Sequence, residues 1–134
     1  MAQHNELGRR GEDYATSFLL SKGYGILDRN WHSGHKEIDI IAQDGAEIVF
    51  VEVKARTNED LSFASDAVDR KKQQLLIYAA ETYIKSHQLN LSPRFDIITV
   101  VGKEDDPTVE IHIDHIIDAY RAPMTTTRKF RSLR

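Results

Sequence analysis

Glu37-Ile38-Asp39-Ile40-Ile41-Ala42, then a turn, then Ile48-Val49-Phe50-Val51-Glu52-Val53-Lys54 decide how this chain is read. Both segments are rich in Ile, Val and Phe and alternate with period two, and Asp44-Gly45 between them is a strong hairpin signal, so the pair reads as two antiparallel strands joined by a tight turn. Alternation puts Glu37, Asp39 and Ile41 on one face of the first strand and Ile48, Phe50, Glu52 and Lys54 on one face of the second. A two-residue turn at Asp44-Gly45 pairs Ile41 with Ile48, Asp39 with Phe50 and Glu37 with Glu52. All four charged groups then gather at the open end of the hairpin, with Glu52 and Lys54 ~6–7 Å apart along their strand and Asp39 diagonal to Glu52 at ~7–8 Å.

Like charges brought together on a sheet destabilise it unless something positive sits between them. Lys54 is one such group and a divalent cation is a second. Hard oxygen ligands select Mg²⁺ or Mn²⁺, and Mg²⁺ is typically held by one or two carboxylates, keeps several waters and takes a phosphate into its shell. An ion held this way lowers the pKa of bound water and polarises a phosphoryl oxygen, while a neighbouring lysine orients the nucleophile or stabilises developing charge. The pattern therefore points to phosphodiester hydrolysis. The plainer alternative is a set of salt-bridged charges on a solvent-facing sheet edge.

Asp39 followed by Glu52-x-Lys54 resembles the signature of the PD-(D/E)xK nuclease superfamily, an Asp on one strand and (D/E)xK on the next. The surrounding residues make the resemblance more specific: Gly8-Arg9-Arg10-Gly11-Glu12 with Ala15, Gly23-Tyr24, Ile26-Leu27, Arg29-Asn30-Trp31, Val49-Phe50-Val51-Glu52-Val53-Lys54-x-Arg56 and Arg94-Phe95-Asp96. Together they look like the bacterial YraN family, regarded as relatives of the archaeal Holliday junction resolvases, over about residues 5–101. The resemblance implies a restriction-endonuclease-like α/β core, Asp39, Glu52 and Glu37 as metal ligands, Lys54 as the catalytic lysine and Glu12 as an additional catalytic carboxylate. It implies DNA as partner, branched or structured DNA among the substrates, and a homodimer, because resolvases cut two strands together. One departure is that His35-Lys36 stand where the family often has Gly directly before the Glu.

A chain of 134 residues with 40% apolar content fits one domain with a single core. The absence of Cys excludes disulfides and thiolate zinc sites. No apolar run approaches transmembrane length and the start of the chain has no hydrophobic segment, so a soluble, cytoplasmic protein with no membrane partner is expected. The net charge of −3 argues against generic coating of nucleic acid. That average hides an asymmetry: Arg121, Arg128, Lys129, Arg131 and Arg134 give the end of the chain +5 without acids, leaving 13 basic against 21 acidic residues, or −8, on residues 1–120.

The expected order is α-β-β-β-α-β-β, a mixed central sheet flanked by helices. A helix from about Glu6 to Lys22 carries Leu7, Gly11, Ala15, Phe18 and Leu19 at helical spacing and stops at Gly23. Gly8 and Gly11 would let this helix approach the sheet and bring Glu12 over the hairpin, although Glu12 reads equally as a first-turn acid favoured by the helix dipole. Tyr24–Asn30 is a strand. A long helix from Ser65 to about Lys85 presents Val68, Lys72, Leu75, Leu76, Ala79 and Tyr83 as one stripe, and Arg94–Val101 and Val109–Ile113 are further strands around a polar turn. Residues 1–120 form the nuclease-like domain and 121–134 a basic tail.

Nucleic-acid contacts are expected from Arg56 at a strand end, from Lys71, Lys72 and Gln74 at the opening of the second long helix, and from Arg128, Lys129 and Arg131 in the tail. Gln74-x-x-x-Tyr78 loosely resembles an element of RecB-like nucleases. Asp96 reads as the partner of a nearby arginine rather than a metal ligand. The histidines in His32-x-x-His35 and His112-x-Asp114-His115 lack the spacing of a zinc site and read as surface or edge-strand residues. The function left standing beside an endonuclease is a non-catalytic nucleic-acid-binding or adaptor module on the same fold, and behind it a protein-interaction domain.

Overall fold

Ile48 and Phe50 point to one core and Val49 and Val51 to another, so the strand that carries them is buried on both faces and the fold is layered around it. In the computed structural model the described residues are 6–57, 69–102 and 110–122. They form α1 (Glu6–Ser21), β1 (Gly25–Ser33), β2 (Lys36–Asp44), β3 (Glu47–Thr57), α2 (Arg70–Ser86), β4 (Ser92–Gly102) and β5 (His112–Tyr120). The strands make one five-stranded sheet in the order β1-β2-β3-β4-β5. Every neighbouring pair is antiparallel except β3 and β4, which are parallel across the α2 crossover. This is an α/β fold with a mixed sheet between helices.

Ala15 and Leu19 of α1 pack with Ile40, Ala42, Val49, Val51, Ile98 and Val100 on one side of the sheet. Leu76, Ala79, Ala80 and Tyr83 of α2 pack with Ile41, Ile48, Phe50, Phe95 and Ile97 on the other. Trp31 joins the α2 side, edge-on to Tyr83 at 5.1 Å. Leu75, expected in that stripe, is 38% exposed. Helix α2 starts at the N-cap Asp69, whose side chain accepts the Lys72 N–H at 2.8 Å. The expected start from Ser65 and Val68 lies outside the described residues. Gly11 is buried because α1 runs very close to β3: a Cβ there would meet that of Ala55 at 3.2 Å.

Three expectations are corrected. The last rung of the hairpin is Asp44↔Glu47, so the turn residues are Gly45 and Ala46, and Ile41 faces Phe50 rather than Ile48. Gly45 has φ +64 and Ala46 does not share its left-handed φ, as a type II′ turn requires. Gly at the first turn position favours this placement, and Arg94 clasps the last rung, its Nη1 donating to Asp44 at 3.0 Å and to Glu47 at 2.8 Å. Second, Glu37, Asp39 and Ile41 do not share a face. Ile38 and Ile41, three residues apart, both enter the α2-side core, so the alternation slips by one around Asp39, opposite Asn30 with φ +52. Third, the last strand is His112–Tyr120 instead of Val109–Ile113. Its polar positions obscured it, and a register shift between Phe95 and Ile97, with Asp118 at φ +59, lets it continue to Tyr120.

At the turn end of the sheet, Asp96 is 0% exposed and fully bonded. It accepts from Arg94 Nε at 3.0 Å and Nη2 at 2.9 Å, from the Asp118 N–H at 2.9 Å, and pairs with His115 Nε2 at 2.7 Å. Arg94 also donates to the Tyr24 hydroxyl at 2.6 Å. Asp96 thus pairs with an arginine, as the sequence suggested, and His115 stands on the edge strand β5, as expected, but with its ring turned in to Asp96 at 4% side-chain exposure. Burial raises the Asp96 pKa, but the bonds from His115, Arg94 and Asp118 outweigh it and hold the carboxyl below its usual range. Its stabilisation is therefore complete above the unfolded carboxylate value of ~4 and lost as the pH falls through the lower folded value. Asp96→Ala, which leaves Arg94 Nε, His115 and the Asp118 N–H without their buried acceptor while Arg94 keeps Asp44, Glu47 and Tyr24, is expected to destabilise the fold by about 2–3 kcal/mol at neutral pH. Urea unfolding checks this, with the difference narrowing as the pH falls below the unfolded carboxylate value of ~4.

Candidate active site

The β2–β3 ladder runs from Asp44↔Glu47 to Ile40↔Val51 and stops there. Beyond the last rung, Asp39 Oδ2 accepts the Val53 N–H at 2.8 Å. A side chain takes over where the backbone pairing ends, which fixes the Asp39 carboxylate against β3.

Both helices close on this end of the sheet. An open pocket of about 500 Å³ is lined by Glu12 of α1, by His35, Lys36, Glu37 and Asp39 at the start of β2, by Glu52, Val53 and Ala55 of β3, and by Lys72 and Leu76 of α2. Glu52 is only 10% exposed, and its Oε2 receives two ammonium groups, Lys54 Nζ at 3.0 Å and Lys72 Nζ at 2.9 Å. The structure thus brings Glu12, Glu37, Asp39 and Glu52 to one pocket and sets Lys54 and Lys72 on Glu52.

Asn30 links the carboxylates on the α1 side. With its amide oriented to suit its neighbours, the nitrogen donates to Glu12 Oε1 at 3.0 Å and Glu37 Oε2 at 2.9 Å. Arg29 holds Asp13 at 2.9 Å and lies 3.8 Å from Glu12. Neither Arg29 nor Asn30 was assigned a role at this site from sequence. The available signal was an Asn in a strand, a residue tolerant of positive φ, beside the motif that carries Asp39.

The electrostatics follow from burial and crowding. Burial first, then the charge on Glu52, with Glu12 and Glu37 behind it, push the Asp39 pKa up to about 7 against the lowering effect of the Val53 N–H. Burial likewise raises Glu12, partly offset by Arg29 and Asn30. Lys72 is pulled down by burial but carried above its usual value by its bond to Glu52 and the charges of Glu52 and Asp39. Asp39 and Glu12 are therefore acids whose ionisation the site opposes, by burial first and by crowding second.

Among the described residues no three His, Asp or Glu groups are arranged as a ready metal cage. Mg²⁺ needs none, since one or two carboxylates, waters and a phosphate complete its shell. Asp39 and Glu52 are the pair suited to hold such an ion by position and by charge, with Glu37 and Glu12 on the neighbouring wall.

The chain matches the family described as "Uncharacterised protein family UPF0102" over residues 11–100. The chain belongs to the UPF0102 family. The UPF0102 protein of Phocaeicola vulgatus is 42% identical over 92% of this chain and 99% of its own length. The Bacteroides fragilis relative is 44% identical over the same shares, and that of Flavobacterium psychrophilum is 45% identical over 90% of this chain and 98% of its own. The matched span contains Glu12, Glu37, Asp39, Glu52, Lys54 and Lys72 and ends before β5.

The expected nucleic-acid contacts of this UPF0102 protein are placed unevenly. Strand β3 continues to Thr57, so Arg56 shares the face of Lys54 at the strand's far end. Lys72 is in the site, whereas Lys71 and Gln74 are exposed, off the buried stripe of α2. Tyr78, one turn beyond Gln74, is 70% exposed. Arg128, Lys129 and Arg131 lie outside the described residues. No described helix is long and apolar enough to cross a membrane.

Because folding raises the Asp39 pKa, its ionisation weighs against the folded state. The neutral acid costs little at low pH, the penalty grows as pH rises from ~4 to about 7, and it is constant above. Asn keeps an oxygen for the Val53 N–H and carries no charge. Asp39→Asn is therefore expected to stabilise the metal-free protein by about 1–3 kcal/mol at pH 8, the gain shrinking toward pH 4. Urea midpoints at the two pH values test this, and a loss of stability at both contradicts it.

Proposed function

We propose that this protein is a Mg²⁺- or Mn²⁺-dependent endonuclease that hydrolyses phosphodiester bonds in DNA, branched or otherwise structured DNA among them. The observation that carries the reading is that Asp39 and Glu52 line one pocket with Lys54 bonded to Glu52, and that Asp39 is raised to about 7 by burial and neighbouring acids. Undercompensated carboxylates facing an open cleft are what a divalent cation relieves.

In this reading Asp39 and Glu52 hold the ion, which when bound lowers the pKa of a coordinated water and polarises a phosphoryl oxygen. The Val53 N–H keeps Asp39 turned toward the pocket. Lys54, rooted in β3 and 18% exposed, is held in place by Glu52, where it orients the attacking oxygen or stabilises charge on the phosphate. Glu12 and Glu37, joined through Asn30, keep the α1 wall acidic. Lys72, and Arg56 at the strand end, supply positive charge for the flanking backbone. Structured DNA as substrate, and a homodimer to cut two strands, rest on the likeness of the sequence to the resolvases.

A second reading, a non-catalytic nucleic-acid-binding or adaptor module, draws on Glu52: its two ammonium partners satisfy it without any ion. Incubating a labelled four-way junction, a flap, a linear duplex and a single strand with Mg²⁺, Mn²⁺ or EDTA separates the two. The endonuclease reading predicts metal-dependent cleavage that drops at least ~100-fold in Glu52→Gln. DNA binding without cleavage under either ion would leave the binding-module reading.

A further inference from the structure

Two lysines bond the same oxygen of Glu52, yet they are not equivalent. Lys54 is 18% exposed and anchored within β3, in register with Thr99 of β4. Lys72 is 43% exposed and stands in the first turn of α2. Its backbone N–H is fixed by the cap to Asp69 Oδ1 at 2.8 Å, so the helix position is set while the long side chain stays free to turn into the open pocket that it lines.

One carboxylate oxygen cannot serve two ammonium groups and a divalent ion at once, and the ammonium with room to move is that of Lys72. The repulsion among Glu52, Asp39, Glu12 and Glu37 also requires a positive charge at this spot when no ion is present.

We propose that Lys72 is a resident counter-ion: its ammonium sits on Glu52 Oε2 in the place of a divalent cation, and it turns to the phosphate of the substrate once that place is taken. This deepens the reading given above and rests on it. Lys72 is thereby a positioning residue that sets ion affinity, distinct from a lysine that merely props up the site.

The consequence runs against intuition for a site residue. Removing the charge should strengthen ion binding, because the ion no longer competes with an ammonium ~3 Å from the same carboxylate and no longer meets its repulsion. Titrating the full chain calorimetrically with Mn²⁺ alone, for wild type, Lys72→Met and Lys72→Arg, reads this directly. The expected result is Kd about tenfold lower in Lys72→Met and little changed in Lys72→Arg, which keeps the charge. The Mn²⁺-induced rise in Tm should likewise be larger for Lys72→Met than for wild type. Equal affinities, or weaker binding in Lys72→Met, would overturn the counter-ion role and leave the endonuclease reading in place. Absence of heat and of any Tm shift in all three proteins would overturn both.

Discussion

The structure turns on four carboxylates forced together where the β2–β3 ladder ends. Asp39 leaves the pairing, slips the side-chain alternation by one and bonds the Val53 N–H with its carboxylate. The polar residues around it are arranged in response: Asn30 spans Glu12 and Glu37, Arg29 stands behind Glu12, and Lys54 and Lys72 converge on Glu52. Even so, Asp39 keeps a raised pKa, from its burial first and from the charge of Glu52 second.

A comparison within the molecule shows what that excess means. Asp96 exposes no surface to solvent while Asp39 keeps some, yet the Asp96 pKa is lowered, because Arg94, His115 and a backbone N–H meet both its oxygens. A buried carboxylate kept for structure is fully compensated in this way and locks β4 to β5 and to the hairpin turn. Asp39, with one N–H and three acidic neighbours, is not, and it opens on a pocket. Uncompensated charge beside a cleft marks functional sites more often than structural ones, which is why the proposed chemistry is assigned to Asp39 and its neighbours.

Much of this was legible in the sequence, for identifiable reasons. The layered sheet and helices follow from period-two runs such as Ile48–Val53 and from the apolar stripe Leu76, Ala79, Tyr83. The convergence of Glu37, Asp39, Glu52 and Lys54 follows from their spacing about a turn, and the approach of Glu12 from Gly11 one residue earlier. What was not legible depended on partners distant in sequence. The rung beside the Gly45-Ala46 turn is clasped by Arg94, on β4, which binds Asp44 and Glu47. The slip at Asp39 depends on Asn30 with its left-handed φ, and the burial of His115 on Asp96. Local periodicity contains none of these pairings, and β5 was misplaced because polar residues interrupt its apolar positions.

Membership of the UPF0102 family places the carboxylates and both lysines inside the matched region of the chain, while the endonuclease activity stands as a proposal built on their geometry. Its central claim is that Asp39 sits in a pocket short of positive charge. Following the Asp39 side-chain carboxyl carbon by NMR through a pH titration, without metal and then with Mg²⁺, measures that deficit. The account predicts a midpoint near 7 without metal, falling well below the physiological range when Mg²⁺ is added. A midpoint at the ordinary ~4 of an aspartate, unmoved by Mg²⁺, would contradict it.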